Sequence, residues 1–225
     1  MKKLASLLLS VILMVSLASC KGSVQDSRGE SSSPNSRAGS LEGASGEEPG
    51  EPDPGSSQAG KTKSLVVYFS WSGNTEMAAQ EIQRQTGAEL FQIVPAQPYT
   101  EDYNALLDIA RQEQKANARP EIAGSVENFG EFDVIYLGYP IWHGDMPRIL
   151  YSFLDAYDCS GKTIAPFVTS GGSGLSGTVS TIQELEPGAV VSGGLSLGSS
   201  QVADSAWGLA DEVEKWLDAN GLQER

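Results

Sequence analysis

The chain has 225 residues, 40% of them hydrophobic and 20% charged, and a formal net charge of -14. From Lys63 onward 9 basic side chains stand against 22 acidic ones, a field that repels nucleic acid and anionic lipid headgroups and favours basic protein partners. Two cysteines, Cys20 and Cys159, and a single histidine are too few for a disulfide framework, a zinc centre or an iron–sulfur cluster, so no metal is expected and Cys159 is assigned to packing.

Lys2 and Lys3 precede an apolar run over 4–17, the pattern of a signal peptide and too short for a comfortable transmembrane span. The run closes in Leu17-Ala18-Ser19-Cys20, which resembles the lipobox of bacterial lipoproteins. That resemblance implies export, cleavage before Cys20 and a lipid anchor on it, in either the cell membrane or the outer membrane. At roughly 0.8 kcal/mol per buried methylene, two or more acyl chains would hold the protein durably.

Residues 21–62 are dominated by Ser, Gly, Pro, Glu and Ala, with only Val24 and Leu41 as sizeable apolar side chains. Such a segment cannot offset its ordering entropy by burial, so it is predicted to be a disordered linker, with an end-to-end distance of roughly 35 Å.

Apolar runs alternating with amphipathic stretches fill the remainder, 63–225. Strands are predicted over 65–69, 89–94, 133–137, 163–169 and 190–197, and helices over 76–85, 103–116, 148–156, 179–185 and 203–220, the last capped by Gly221. Five strands separated by helices imply an α/β fold: a doubly wound parallel sheet with helices on both faces, for which the order 2-1-3-4-5 is the natural candidate.

Three loops then carry the chemistry. After the first strand comes Phe69-Ser70-Trp71-Ser72-Gly73-Asn74-Thr75, with a helix opening at its end. A phosphate there meets free backbone N–H groups, the positive end of the helix dipole and hydroxyl donors. The loop has no Lys for a Walker site and lacks the Rossmann glycine spacing, which argues against triphosphates and dinucleotides. The third strand runs into Gly138-Tyr139-Pro140-Ile141-Trp142-His143-Gly144-Asp145-Met146-Pro147, where Trp142 can cover a flat conjugated ring. His143 is expected to be an exposed loop residue that stacks or donates a hydrogen bond. The fourth strand ends in Thr169-Ser170-Gly171-Gly172-Ser173-Gly174, whose glycines free the backbone to approach a ligand.

The first loop resembles the phosphate loop of flavodoxins, and the second resembles the flavin-flanking loop of the flavodoxin-like group with its Tyr-Pro-x-Trp. The resemblance extends over about residues 63 to 220. It implies a flavodoxin-like fold and an FMN cofactor, with the phosphate on Ser70, Ser72, Asn74 and Thr75 and close backbone approach at Gly73. The ring would be flanked by Trp71, Tyr139, Pro140, Ile141, Trp142, His143 and Gly144, and met by Thr169, Ser170, Gly171, Gly172 and Gly174. No side chain is assigned a catalytic role, because the flavin supplies the redox chemistry. Electron transfer to redox partner proteins with a basic docking surface is the leading expectation. An NAD(P)H-dependent quinone or flavin oxidoreductase and a cofactor-free surface binding module are the alternatives.

Overall fold

The structure, a computed structural model, describes residues 62–204 and 206–223. The expected signal peptide, its Cys20 and the linker up to residue 61 lie outside the described residues. Among the described residues no helix is long and apolar enough to cross a membrane.

In chain order the elements are β1 (Ser64–Tyr68), α1 (Asn74–Thr86), β2 (Glu89–Gln92), β3 (Val94–Pro95), α2 (Tyr103–Ala116) and β4 (Ile122–Ala123). A 3-10 turn over Phe129–Glu131 leads to β5 (Val134–Pro140), α3 (Arg148–Ala156), β6 (Thr163–Ser170), α4 (Thr178–Leu185), β7 (Val190–Val191), β8 (Leu195–Gly198), α5 (Ser199–Asp204) and α6 (Ala206–Ala219). The main sheet has the order β2-β1-β5-β6-β7, with β8 also pairing with β6, and every pairing in it is parallel. This is the doubly wound order predicted, with the fifth strand delivered in two pieces.

Side chains alternate across a strand, so each β-strand feeds two cores. Leu65 and Val67 of β1 join Ile135, Leu137, Ile164 and Val168 on one face, covered by Ile149, Leu150 and Phe153 of α3 and Ile182 of α4. Val66 and Tyr68 join Tyr136, Ala165 and Phe167 on the other, covered by Ala78, Ala79 and Ile82 of α1 and by Val213, Trp216 and Leu217 of α6. Burying each large aliphatic side chain in this way stabilises the fold by about 1.5–3 kcal/mol.

Departures from the predicted elements have local causes. The second strand stops at Gln92: the Ile93 amide makes a last bond to the carbonyl of Tyr68, the final residue of β1, and the chain then leaves the sheet edge. Val94 and Pro95 pair instead, antiparallel, with Ala123 and Ile122. The fifth strand is interrupted at Gly193 and Gly194, where the Gly193 amide donates to Asn220 Oδ1 and its carbonyl accepts from Trp216 Nε1, so that backbone is spent on α6 and its end instead of the ladder. The last helical region begins earlier than predicted, at Ser199, where Gln201 Oε1 accepts from the Gly198 amide. Its end is as expected: Gly221 has φ +65°, and the Leu222 amide donates to the Leu217 carbonyl.

Two buried polar groups organise the amino end of β6. Lys162 is buried, and its Nζ donates to the carbonyls of Gly130 (3.0 Å) and Phe132 (2.6 Å), which fastens the 3-10 turn to the sheet. Cys159 is buried in the α3 face, and burial pushes its thiol up to about 12, so it stays protonated as a packing residue.

Gly138 is the tightest point of the sheet. A Cβ there would lie 2.1 Å from Cζ of Phe167, its partner residue on β6, so the Phe167 ring occupies the space a side chain would take. Gly138→Ala is expected to cost about 1–3 kcal/mol through overpacking, read as a lower urea midpoint, and Phe167→Leu in the same background should restore part of it. An unchanged midpoint for Gly138→Ala would show that the ring is free to move.

Candidate functional site

β1, β5 and β6 are neighbours in the sheet and run the same way, so their carboxyl ends open onto one side of the domain. Two backbone bonds continue the ladder into the loops, from the Phe69 amide to the Gly138 carbonyl and from the Ile141 amide to the Thr169 carbonyl. The three segments singled out in the sequence therefore meet, although not every residue in them faces outward.

The first loop is short and internally tied. Gly73 takes φ +87°, and its amide donates to Ser70 Oγ at 3.1 Å. α1 then starts at Asn74, and the amides of its first turn have no acceptor within the helix. Ser72 is exposed, while Ser70 and Asn74 are half-buried. Thr75 points inward: it is 1% exposed, and its Oγ1 lies 2.8 Å from Oγ1 of Thr169, which joins the start of α1 to the end of β6. Trp71 is half-buried, and its Nε1–H donates to the Thr100 carbonyl at 2.9 Å, beside the Tyr103 ring.

The second loop contains a tight two-residue turn. His143 (φ +49°) and Gly144 (φ +77°) both take left-handed backbone, and Trp142 and Asp145 exchange their backbone bonds across the turn at 2.9 and 3.1 Å. His143 is exposed and its Nε2 lies 2.8 Å from the Leu107 carbonyl, where it donates. Trp142 is half-buried, edge-on to Phe69 at 5.4 Å and to Tyr99 at 5.3 Å. Pro140 and Ile141 are half-buried as well. Tyr139, by contrast, is fully buried, and its hydroxyl donates to Thr178 Oγ1 at 2.9 Å, so its ring belongs to the core under α4.

In the third loop Thr169 and Ser170 are buried, and Ser170 Oγ accepts from the Gly172 amide at 3.3 Å. Gly171 is exposed, Gly172 is exposed with φ +127°, and Gly174 has φ +61°. A Cβ at Gly73, Gly144, Gly171 or Gly172 would meet nothing within 4 Å. The backbone of all three loops thus borders open space, a cradle that the protein's own side chains do not fill. Residues 70–75, 138–144 and 169–174 contain no Lys, Arg, Asp or Glu. This donor set of amides, hydroxyls and aromatic rings suits a phosphate monoester joined to a neutral planar heterocycle.

Sequence reasoning missed the supports behind the second loop. Gln114 of α2 donates to the Trp142 carbonyl at 3.0 Å. Asp145 accepts from the Met146 amide and from the Tyr151 hydroxyl, whose pKa is pushed up to about 12, chiefly by burial. Arg148 is buried against the Tyr151 ring, 3.5 Å from its centroid, and donates to Asn117 Oδ1 and to the Ala118 carbonyl. The available signal was a lone Arg, three residues after Asp145, at the head of a helix whose next three residues are Ile149, Leu150 and Tyr151.

The flavodoxin family model matches residues 63–219. The chain belongs to the flavodoxin family. A protein assigned as a flavoprotein from Bacteroides eggerthii is 33% identical, with a TM-score of 0.62, over 72% of this chain and 99% of its own length. Another from Bacteroides uniformis is 30% identical, with a TM-score of 0.60, over 70% and 99%. A flavoprotein from Lactobacillus acidophilus, solved in complex with FMN, is 28% identical, with a TM-score of 0.56, over 69% and 98%. No curated protein matches the chain.

The Thr75–Thr169 contact makes a specific demand. Thr75→Val keeps the shape but leaves the buried Thr169 hydroxyl without that partner, and should cost about 1–2 kcal/mol in urea unfolding. Adding Thr169→Val should then cost less than its effect alone, with a coupling of about 1 kcal/mol. Strict additivity would show that the two hydroxyls do not interact.

Proposed function

We propose that this flavodoxin-family domain binds FMN and acts as an electron carrier, held at the outer face of a membrane by a lipid on Cys20. The observation that carries the reading is the convergence, at the carboxyl ends of β1, β5 and β6, of three loop segments (70–75, 138–144 and 169–174) without Lys, Arg, Asp or Glu, with open space beside their glycines. A Lactobacillus acidophilus relative in complex with FMN supports the choice of ligand.

The residues present fit that group. The amides at the start of α1, with Ser72 and Asn74 beside them, would hold the phosphate without a cationic side chain. The turn carrying Trp142, His143 and Gly144, together with Trp71, would flank the ring, and the backbone of residues 170–172 would supply amides to its polar edge. Thr75, whose hydroxyl is engaged by Thr169, acts by fixing the loop. Bound FMN supplies one- and two-electron redox chemistry, and the protein's share is orientation, exclusion of water and electrostatic bias. The acidic surplus of the domain disfavours added negative charge on a reduced ring and presents an anionic surface to basic partner proteins.

A flavin absorption spectrum in the purified protein tests the cofactor, and its absence after reconstitution would favour the cofactor-free binding module. Bleaching of that spectrum by NADPH without an added reductase would favour the oxidoreductase alternative. Ser72→Asp should weaken FMN far more than riboflavin, since it sets a carboxylate against the phosphate dianion and spares the ring. Equal loss for both ligands would place the phosphate elsewhere.

The anchor rests on the Leu17-Ala18-Ser19-Cys20 sequence, and the linker over 21–62 would let the domain reach partners in several orientations. Cys20→Ser is expected to release the protein from the membrane fraction or to leave an uncleaved precursor. Unchanged acylation and membrane content would refute the anchor.

A further inference from the structure

A cavity of about 400 Å³ lies beside α2; none of its lining residues belongs to the three glycine loops, and no step of the proposed function uses it. It exists because β3 and β4 pair antiparallel and the Ala96 amide donates to the Glu121 carbonyl at 2.8 Å, which brings the segment holding Pro98 opposite the segment holding Pro120. Ile109 and Glu113, four residues apart and so on one face of α2, complete the wall together with Tyr99. Its volume falls within the range of small-molecule sites.

The lining has a definite chemical character. Pro98, Ile109, Pro120 and the Tyr99 ring are apolar, Glu113 and Glu121 are carboxylates, and no Lys, Arg or His takes part. Tyr99 donates to Glu113 Oε2 at 2.9 Å, which leaves the carboxylate a second oxygen outside that bond. Burial holds the Glu113 carboxyl above the usual range, a cost that a cation in the cavity would offset. Arg148 acts on Glu113 from α3, but its guanidinium is committed to Asn117, Ala118 and the Tyr151 ring. Among the described residues no group of three or more His, Cys, Asp or Glu side chains could hold a metal ion, and two carboxylates fall short of the oxygen set that hard cations require.

We infer that this cavity is a binding site for an organic monocation, a guanidinium or alkylammonium group on a short hydrocarbon stem. The charge sits between Glu113 and Glu121 with the Tyr99 ring beside it, and the stem lies on Ile109, Pro98 and Pro120. The same chemistry is carried by a small free ion and by the Arg or Lys side chain of a partner protein. Because the Tyr99 ring also contacts Trp142 (5.3 Å) and Phe69 (5.7 Å), occupancy reaches the aromatic cluster behind the second loop.

Calorimetric titration of the full chain, without FMN, with n-butylguanidinium tests the site, using n-butylurea as the uncharged counterpart. Saturable one-site binding of the cation is expected, with none for the urea. Glu113→Gln, which keeps an acceptor for Tyr99, should weaken it about tenfold or more. Glu121→Gln, at an exposed position, should weaken it less and leave the melting temperature unchanged. Acetyl-Gly-Arg-Gly-amide binding as well as the free ion points to a partner's side chain, and binding of the free ion alone points to a small molecule. The inference is overturned if neither cation saturates in a chain of native melting temperature, or if both variants bind as the wild type does. A chain that binds n-butylguanidinium but not FMN would sink the electron-carrier reading and leave this one standing.

Discussion

The site depends on where three parallel strands stop. A parallel ladder sends every strand out of the sheet on the same side, and the register sets how far each one reaches. Tyr68, the last residue of β1, is level with Gly138, whereas β5 continues to Pro140, which is level with Thr169 of β6. Two residues of extended chain amount to roughly 7 Å, so the loop after β1 leaves the sheet a step below the other two. The Thr75–Thr169 hydroxyl pair bridges that step, passing from the first turn of α1 to the end of β6. Gly138 makes the arrangement possible at sheet level, because Phe167 packs where any other residue would place a side chain.

Charge is distributed in a way that complements this geometry. The domain is strongly acidic, yet residues 70–75, 138–144 and 169–174 carry no Lys, Arg, Asp or Glu, so whatever binds there is met mainly by oriented dipoles and hydroxyls. For an anionic group, amides at the start of α1 offer attraction without a desolvated cation, whose burial would bring its own cost. The acidic surplus acts at longer range, where salt screens it. A neutral seat in an acidic domain meets a phosphate monoester with dipoles and no buried cation.

Most of the architecture could be read from hydrophobic patterning, because five apolar runs alternating with amphipathic segments leave few topologies. The bounds of α2 and α3 agree with the predicted ones residue for residue. What could not be read depends on contacts distant in sequence. Nothing in Val94-Pro95 announces that it will pair with Ile122-Ala123 instead of extending β2. The break between β7 and β8 follows from Trp216 and Asn220, more than twenty residues on, claiming the Gly193 backbone. Loop position was legible, but side-chain direction was not: Tyr139 and Thr75 sit in segments expected to face a ligand and turn inward, to Thr178 and Thr169 respectively. A strand end alternates faces, so adjacent residues of one motif serve the core and the site in turn.

The second loop shows why those unread contacts matter. Two consecutive left-handed residues are a strained choice for His143, and a turn of that kind persists only when its surroundings hold it. Here it is held from two helices at once, by Leu107 and Gln114 of α2 and by Tyr151 of α3 through Asp145. Arg148, buried between Tyr151 and the segment following α2, in turn locks α3 to that segment. The loop after β6 is tied chiefly to itself, through Ser170 and Gly172 and through Ser173 and Ser176. The cradle therefore has one wall braced by the body of the fold and one shaped by its own glycine backbone. The braced wall carries the aromatic side chains, whose value to a planar ligand depends on being held in place before it arrives.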